Sequence, residues 1–161
     1  MKANGWRLFQ HPLFKDQFDK LLVEAERIKA QQPKTFQNHK TVRLLARITQ
    51  LISDEIPADP SHDRFNQGNT LGKGHRHWKR AKFGRYRLFF RYDARTRDNG
   101  KGKAIVYAWV NDEKTLRKAG DKNDPYAIFA RGLLRGEPPD SFEQLIKQAK
   151  ELDIDPAEDD Q

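Results

Sequence analysis

Between His75 and Arg87 the chain reads HRHWKRAKFGRYR, the densest run of groups able to handle a phosphate. If Trp78 to Phe83 is a strand, Arg80 and Lys82 stand two residues apart on one face, with Arg87 on the neighbouring strand. Three cations then converge on one patch. Arginine brings planar bidentate donors and lysine a compact charge, a combination that suits a phosphate. In metal-free RNA cleavage the 2′-hydroxyl attacks the adjacent phosphorus and negative charge builds on the non-bridging oxygens, so cations fixed there favour the transition state over the ground state. One group must take the 2′-hydroxyl proton and another must protonate the leaving 5′-oxygen; Lys, Tyr and His are the available types. The same residues also fit two plainer roles, holding RNA without turnover or forming a solvated sheet face. Charge alone does not choose among the three.

Around this core of cations lie further candidates for RNA contact: His75, His77, Lys79, Arg85, Phe89 and Arg91. His75 and His77 form an HxH pair, which can supply two metal ligands. No cysteine is present, and no acid lies between Arg64 and Asp93, so the pair reads as loop histidines with no metal bound. Trp78, Phe83, Phe89, Tyr107 and Trp109 have rings that can stack on bases, although aromatics on a small sheet more often fill its core. Phe89 is the best placed because it shares the arginine face. Asn111, Asp112 and Glu113 fall at a strand exit, where they would cap a helix or position Arg117. His11, His39 and His62 are scattered and carry no signal. The run GNTLGKG lacks the ending of a phosphate-binding loop.

The charge of the chain is concentrated where these residues lie. Thirteen Lys and Arg face two acids, Asp93 and Asp98, between Arg64 and Lys103, whereas the whole chain of 161 residues carries only +8. A localised basic surface with interleaved aromatics points to a polyanion, with RNA or DNA the first candidate. The absence of cysteine excludes disulfides and thiolate chemistry. The N-terminus has no apolar run of signal-peptide length and no segment approaches a membrane span, so the cytoplasm is the expected setting. Length and composition suit one domain, over residues 1 to 150, followed by an acidic and disordered tail from 151 to 161 with six acids in eleven residues.

The elements that must position the cations follow from periodicity. From Pro12 to Gln32, Phe14, Phe18, Leu21, Leu22, Ala25 and Ile28 form one helical stripe, and Val42, Leu45, Ile48 and Ile52 form another that ends near Pro57. Together they predict a helical hairpin. A glycine-rich loop follows, with a short strand around Arg64 to Leu71. Three antiparallel strands are expected at Trp78 to Phe83, Arg85 to Asp93 and Ala104 to Asn111, the first two joined at Gly84 and the last two by a loop containing Asn99-Gly100. A short helix from Glu113 to Ala119 is then expected, a second helix capped by Asp124-Pro125, and a third behind a capping box at Ser141 to Gln144. The predicted class is α+β: an N-terminal helical hairpin, a small antiparallel sheet and C-terminal helices.

The strings KFGRYRLFFRYD, YAWVNDEKTLRKAG and DPYAIFARGLLRG, with NGW at Asn4, HP at His11 and GEPP before the last helix, resemble the YhaV toxin family of the RelE/ParE superfamily. The likeness spans about residues 4 to 148. It implies a RelE-like fold and a toxin of a type II toxin–antitoxin module, an endoribonuclease that cuts mRNA on the ribosome with no cofactor or metal. By the same resemblance Arg87 corresponds to the arginine taken to stabilise the scissile phosphate, and Arg80 and Lys82 to a basic pair on the preceding strand. Arg117 and Tyr126 correspond to an arginine after the last strand and a tyrosine of a terminal helix. A guanidinium stays protonated and is a poor base, which leaves proton abstraction to Lys82 or another group. Tyr126 or a histidine is then an accessory acid. The implied partners are mRNA, on the ribosome, and an AbrB-like antitoxin of the PrlF type. Two readings remain beside this one: a non-catalytic RNA or ribosome binder that blocks translation, and a gyrase-directed protein of ParE type.

Overall fold

A two-residue turn starts the sheet. Asn4 and Gly5 have φ of 49° and 80°, the left-handed pair that a tight hairpin requires, and they join β1 (Lys2–Ala3) to β2 (Trp6–Gln10) with Ala3 opposite Trp6. The Asn4 side chain also donates to the Pro57 and Ala58 carbonyls at 3.0 and 3.2 Å, closing the end of a helical segment more than fifty residues away. The computed structural model describes residues 1–95 and 102–154; Asn99-Gly100 lies outside them.

Among the described residues the sheet has six strands, in the order β1, β2, β5 (Ala104–Val110), β4 (Tyr86–Asp93) and β3 (Lys79–Phe83), with β6 (Lys150–Glu151) also on β2. β3, β4 and β5 pair antiparallel, as periodicity predicts. The sheet as a whole is mixed rather than antiparallel, because β2 runs parallel to β5, Leu8 opposite Ile105. Only five residues long and separated from Pro12 by His11 alone, β2 shows no alternation strong enough to mark it as a strand. β6 (Lys150–Glu151) adds antiparallel to β2, and Leu152 is 1% exposed with its N–H on the Leu8 carbonyl at 2.8 Å. The chain therefore stays in the domain past residue 150, where the acidic tail was expected to begin; residues 155–161 lie outside the described set.

Helices cover both faces. On one side α1 (Pro12–Gln31) and α2 (Lys40–Gln50) pack over Leu8, Leu88, Phe90, Ile105 and Tyr107. Phe14, Phe18 and Ile28 make the buried stripe of α1, while Leu22, placed on that stripe by spacing, is 39% exposed. α2 continues through a π-helical turn at Leu51–Glu55 into α3 (Ile56–Ala58). There the Ile52 carbonyl accepts the buried Tyr107 hydroxyl at 2.6 Å, which spares Tyr107 an unpaired buried polar group.

On the other side α4 (Pro125–Leu134) and α5 (Phe142–Gln148) pack over Trp78, Phe89, Val106 and Ala108. Asp124 caps α4 through Tyr126 N and Ser141 caps α5 through Gln144 N, as the sequence predicts. Two local expectations fail. Glu113 to Ala119 forms turns instead of a helix, because Asp112 and Thr115 side chains bond the local backbone and Arg117 N–H is committed to the Arg85 carbonyl. Arg64 to Leu71 holds a short 3-10 turn (Asp63–Phe65) and a single bridge from Asn66 to Lys79 in place of a strand.

His11, His39 and His62, uninformative in the sequence, have one job in common. Each accepts a backbone N–H through Nδ1 at the start of a helical segment, from Leu13, Thr41 and Arg64 respectively, the capping geometry otherwise supplied by Ser or Asp.

Candidate active site

Three arginines converge on one tyrosine at the end of the sheet nearest Gly84. Gly84, with φ of 60°, makes the turn between β3 and β4, and the register sets Lys82 opposite Arg87 and Arg80 opposite Phe89. Arg80, Lys82, Arg87 and Phe89 thus share the face covered by α4. The first turn of α4 delivers Tyr126, 7% exposed, whose hydroxyl accepts from Arg80 Nε at 2.9 Å and from Arg87 Nε at 3.2 Å. The Arg117 guanidinium lies over the Tyr126 ring, 4.9 Å from its centroid.

The Arg80 and Arg87 guanidinium groups are held by the backbone as well. Arg80 Nη1 donates to the Arg64 carbonyl at 2.8 Å, and Arg87 Nη1 to the Gly84 and Tyr86 carbonyls at 2.9 and 2.8 Å. Neither Nη2 has a partner among the described residues, and the only buried side-chain N or O without a partner there is Arg91 Nε. Both Nη2 groups therefore reach solvent, fixed and unpaired. Arg117 Nη1 pairs with Asp124 Oδ1 at 2.6 Å, so the residue that caps α4 also holds the third arginine.

The supporting residues come from the segment after β5. Asn111, 2% exposed, accepts Arg87 N–H through Oδ1 at 2.8 Å and donates to the Thr115 carbonyl at 2.7 Å. Arg85 Nε donates to the Arg117 carbonyl at 3.1 Å while Arg117 N–H returns a bond to the Arg85 carbonyl at 2.9 Å. A cleft of about 440 Å³ opens beside Tyr126, lined by Thr70, Arg117, Lys122 and Asp124 among others. Lys82 is exposed and bonds no described residue. As the direct cross-strand neighbour of Arg87, its Cβ stands about 5 Å from that of Arg87.

The wider set of predicted contacts divides. Arg85 is exposed at the turn. Phe89 has 0% exposure and stacks on Phe129 with centroids 4.3 Å apart, so its ring is a core element and is withdrawn as a base-stacking platform. Lys79 points to the opposite face and donates to Asn66 Oδ1 at 2.8 Å; burial lowers its pKa from the ordinary lysine value, against the pull of Asp63. Arg91 lies under α5, its guanidinium 5.6 Å from the centres of both Trp78 and Phe142, and burial lowers its pKa despite Asp140 and Asp93. His75 and His77 are drawn to Asp140, away from Tyr126. Burial pushes the Asp140 carboxyl up, but hydrogen bonds from Trp78, His77 and His75 together hold it below its ordinary value.

A family described as a toxin with endonuclease activity, of toxin–antitoxin systems, matches residues 8–150. The chain belongs to the YhaV toxin family. It is 40% identical over 153 residues to the ribonuclease toxin YhaV of Escherichia coli K12, which covers 93% of this chain and 96% of that protein. Toxin YhaV of E. coli O157:H7 and of E. coli O6:H1 match to the same extent. No solved structure matches the chain. YhaV membership makes this an enzyme, a toxin with endonuclease activity, and gives neither the non-catalytic nor the gyrase-directed reading any support. Among the described residues no helix is long and apolar enough to cross a membrane.

Two residues that hold the arginines of this candidate site were legible only in part. Asp124 announces itself as a cap through Asp124-Pro125, but its grip on Arg117 depends on the path from residue 111 to 124. Asn111 reads as a strand exit, and nothing local says that its amide faces Arg87.

Proposed function

We propose that this YhaV-family toxin cuts mRNA on the ribosome by attack of the 2′-hydroxyl on the neighbouring phosphorus, leaving a 2′,3′-cyclic phosphate and a 5′-hydroxyl. The observation that carries the reading is the convergence of Arg80, Arg87 and Arg117 on Tyr126, with two guanidinium Nη2 groups fixed and unpaired. Donors held this way need no reorganisation when charge develops on the phosphoryl oxygens, which is where electrostatic catalysis gains most.

The roles divide by chemistry. Arg80 and Arg87 bind the non-bridging oxygens, and Arg85 holds the RNA backbone beside the turn. The Tyr126 hydroxyl accepts from two cations and keeps its own proton to donate, which suits it to the leaving 5′-oxygen. Lys82 is the candidate to take the 2′-hydroxyl proton, and the reaction routes no step through a metal. Arg117 and the neighbouring cleft accommodate a flanking nucleotide. The helices on both faces of a small sheet suit a RelE-like domain, and the basic end of that sheet suits an acidic segment of an AbrB-like antitoxin.

The test is to add the purified protein to a reconstituted translation reaction and map mRNA 5′ ends by primer extension, with Arg87→Ala and a ribosome-free reaction alongside. Discrete ends lost in the variant support the reading. Intact mRNA under blocked translation overturns it, and cuts without ribosomes overturn the ribosome requirement alone.

A further inference from the structure

His75 and His77 both reach one atom of a residue more than sixty positions away. Asp140, in the turn before α5, places Oδ1 3.0 Å from His75 Nδ1 and 2.9 Å from His77 Nε2, and Trp78 Nε1 donates to the same oxygen at 2.9 Å. Asp140 is the acid that the sequence failed to show beside the HxH pair. The three potential ligand atoms lie within 4.8 Å of one another.

Without an ion this arrangement is lopsided. Both histidines must carry a proton on the nitrogen that faces Asp140, and a single carboxylate oxygen takes all three donors while Oδ2 takes none from the described residues. A metal ion relieves the crowding. Tetrahedral zinc with bonds of about 2.0–2.2 Å needs ligand atoms about 3.3 Å apart, and both His–Asp spacings fall short of that by only a few tenths of an ångström.

The surroundings hold the three residues in place. Gln67, 4% exposed, donates through Nε2 to the His75 carbonyl at 2.7 Å, and Arg91 Nη1 donates to the Asp140 carbonyl. Trp78 has 0% exposure, and its indole N–H fixes the carboxylate from behind, as outer partners of metal ligands do.

We propose that His75, His77 and Asp140 form a structural site for a divalent transition-metal ion, with zinc the best fit to two imidazoles and one carboxylate, and water as the fourth ligand. The ion clips the segment entering β3 to the turn before α5. It is separate from the phosphate site: Arg91, which touches Asp140, lies four residues along β4 from Arg87, about 13 Å at strand rise. The buried rings of Trp78, Phe129 and Phe89 stand between them.

The experiment uses the tag-free full chain, stripped with chelator and titrated with Zn²⁺ by calorimetry. The expected result is one equivalent bound, a higher melting temperature with Zn²⁺ than without, and a tetrahedral visible spectrum when Co²⁺ replaces Zn²⁺. All three are lost in His75→Ala/His77→Ala, whose chelator-treated melting temperature stays near that of the stripped wild type. RNA cleavage by the stripped wild type at low temperature is unchanged. No saturable binding, an octahedral cobalt spectrum, or binding undiminished in the double variant would each overturn the site, the first leaving a hydrogen-bonded cluster only.

Discussion

Arg80 Nε lies 2.9 Å from the Tyr126 hydroxyl, a bond that ties the middle of β3 to the first turn of α4 across forty-six residues. It makes the tyrosine a fixture of the arginine cluster and supplies a hydroxyl whose own proton remains available.

Tyr126→Phe keeps the buried ring and its contact with Arg117 but removes that hydroxyl. Single-turnover RNA cleavage is expected to fall about tenfold to a hundredfold, the range for loss of one proton donor or fixed dipole, with RNA affinity by filter binding nearly unchanged. A wild-type cleavage rate would remove Tyr126 from the chemistry.

Lys82 can be tested through the difference between its two substitutions. Arginine retains the charge but cannot serve as a base. If Lys82 takes the 2′-hydroxyl proton, Lys82→Arg loses cleavage about as fully as Lys82→Ala while binding RNA normally. If it only attracts the backbone, Lys82→Arg stays active, and a pH–rate profile of that variant matching wild type would end the proton-transfer role.

Gly132 sits in α4 where a Cβ would lie 2.4 Å from the Glu137 carbonyl oxygen. That neighbour is backbone, and Glu137 N–H is already bonded to the Gly132 carbonyl at 2.8 Å, so it has little room to yield. Gly132→Ala is expected to cost about 1–3 kcal/mol in urea denaturation, with the site residues on the first turn of α4 less affected than overall stability. A neutral or stabilised variant would contradict the close approach.

His11 couples pH to stability. It is 6% exposed and caps α1 through Nδ1 while Nε2 bonds Gln148 Oε1 at 2.8 Å. Burial lowers its pKa below 6.5, only partly offset by the Gln148 bond. The folded state therefore holds His11 neutral: its contribution is complete above pH 6.5 and is lost as pH falls from there through the lowered folded value. His11→Asn caps without titrating. Between pH 7.5 and 5.5 the wild type is expected to lose more stability than this variant by denaturant midpoint; parallel losses would show that the imidazole is not responsible.

Local chemistry was enough to bring Arg80, Lys82 and Arg87 to one face, because strand alternation assigns faces two residues apart, whereas Arg117 and Tyr126 entered as site candidates through the family resemblance. It also shows β3, β4, β5 and the stripes of α1 and α2, each of which is encoded within one continuous run of at most twenty residues. Tertiary structure alone decided what depends on a distant partner. The parallel pairing of β2 with β5 joins segments almost a hundred residues apart, and α4 rather than RNA covers Phe89, an apolar ring that either would accept. The meeting of His75 and His77 with Asp140 requires the turn before α5 to fold back over β4. Periodicity reports which side of an element is apolar. It does not report what comes to lie against that side, and at this site the partner across the chain determines whether a basic residue is core, anchor or open donor.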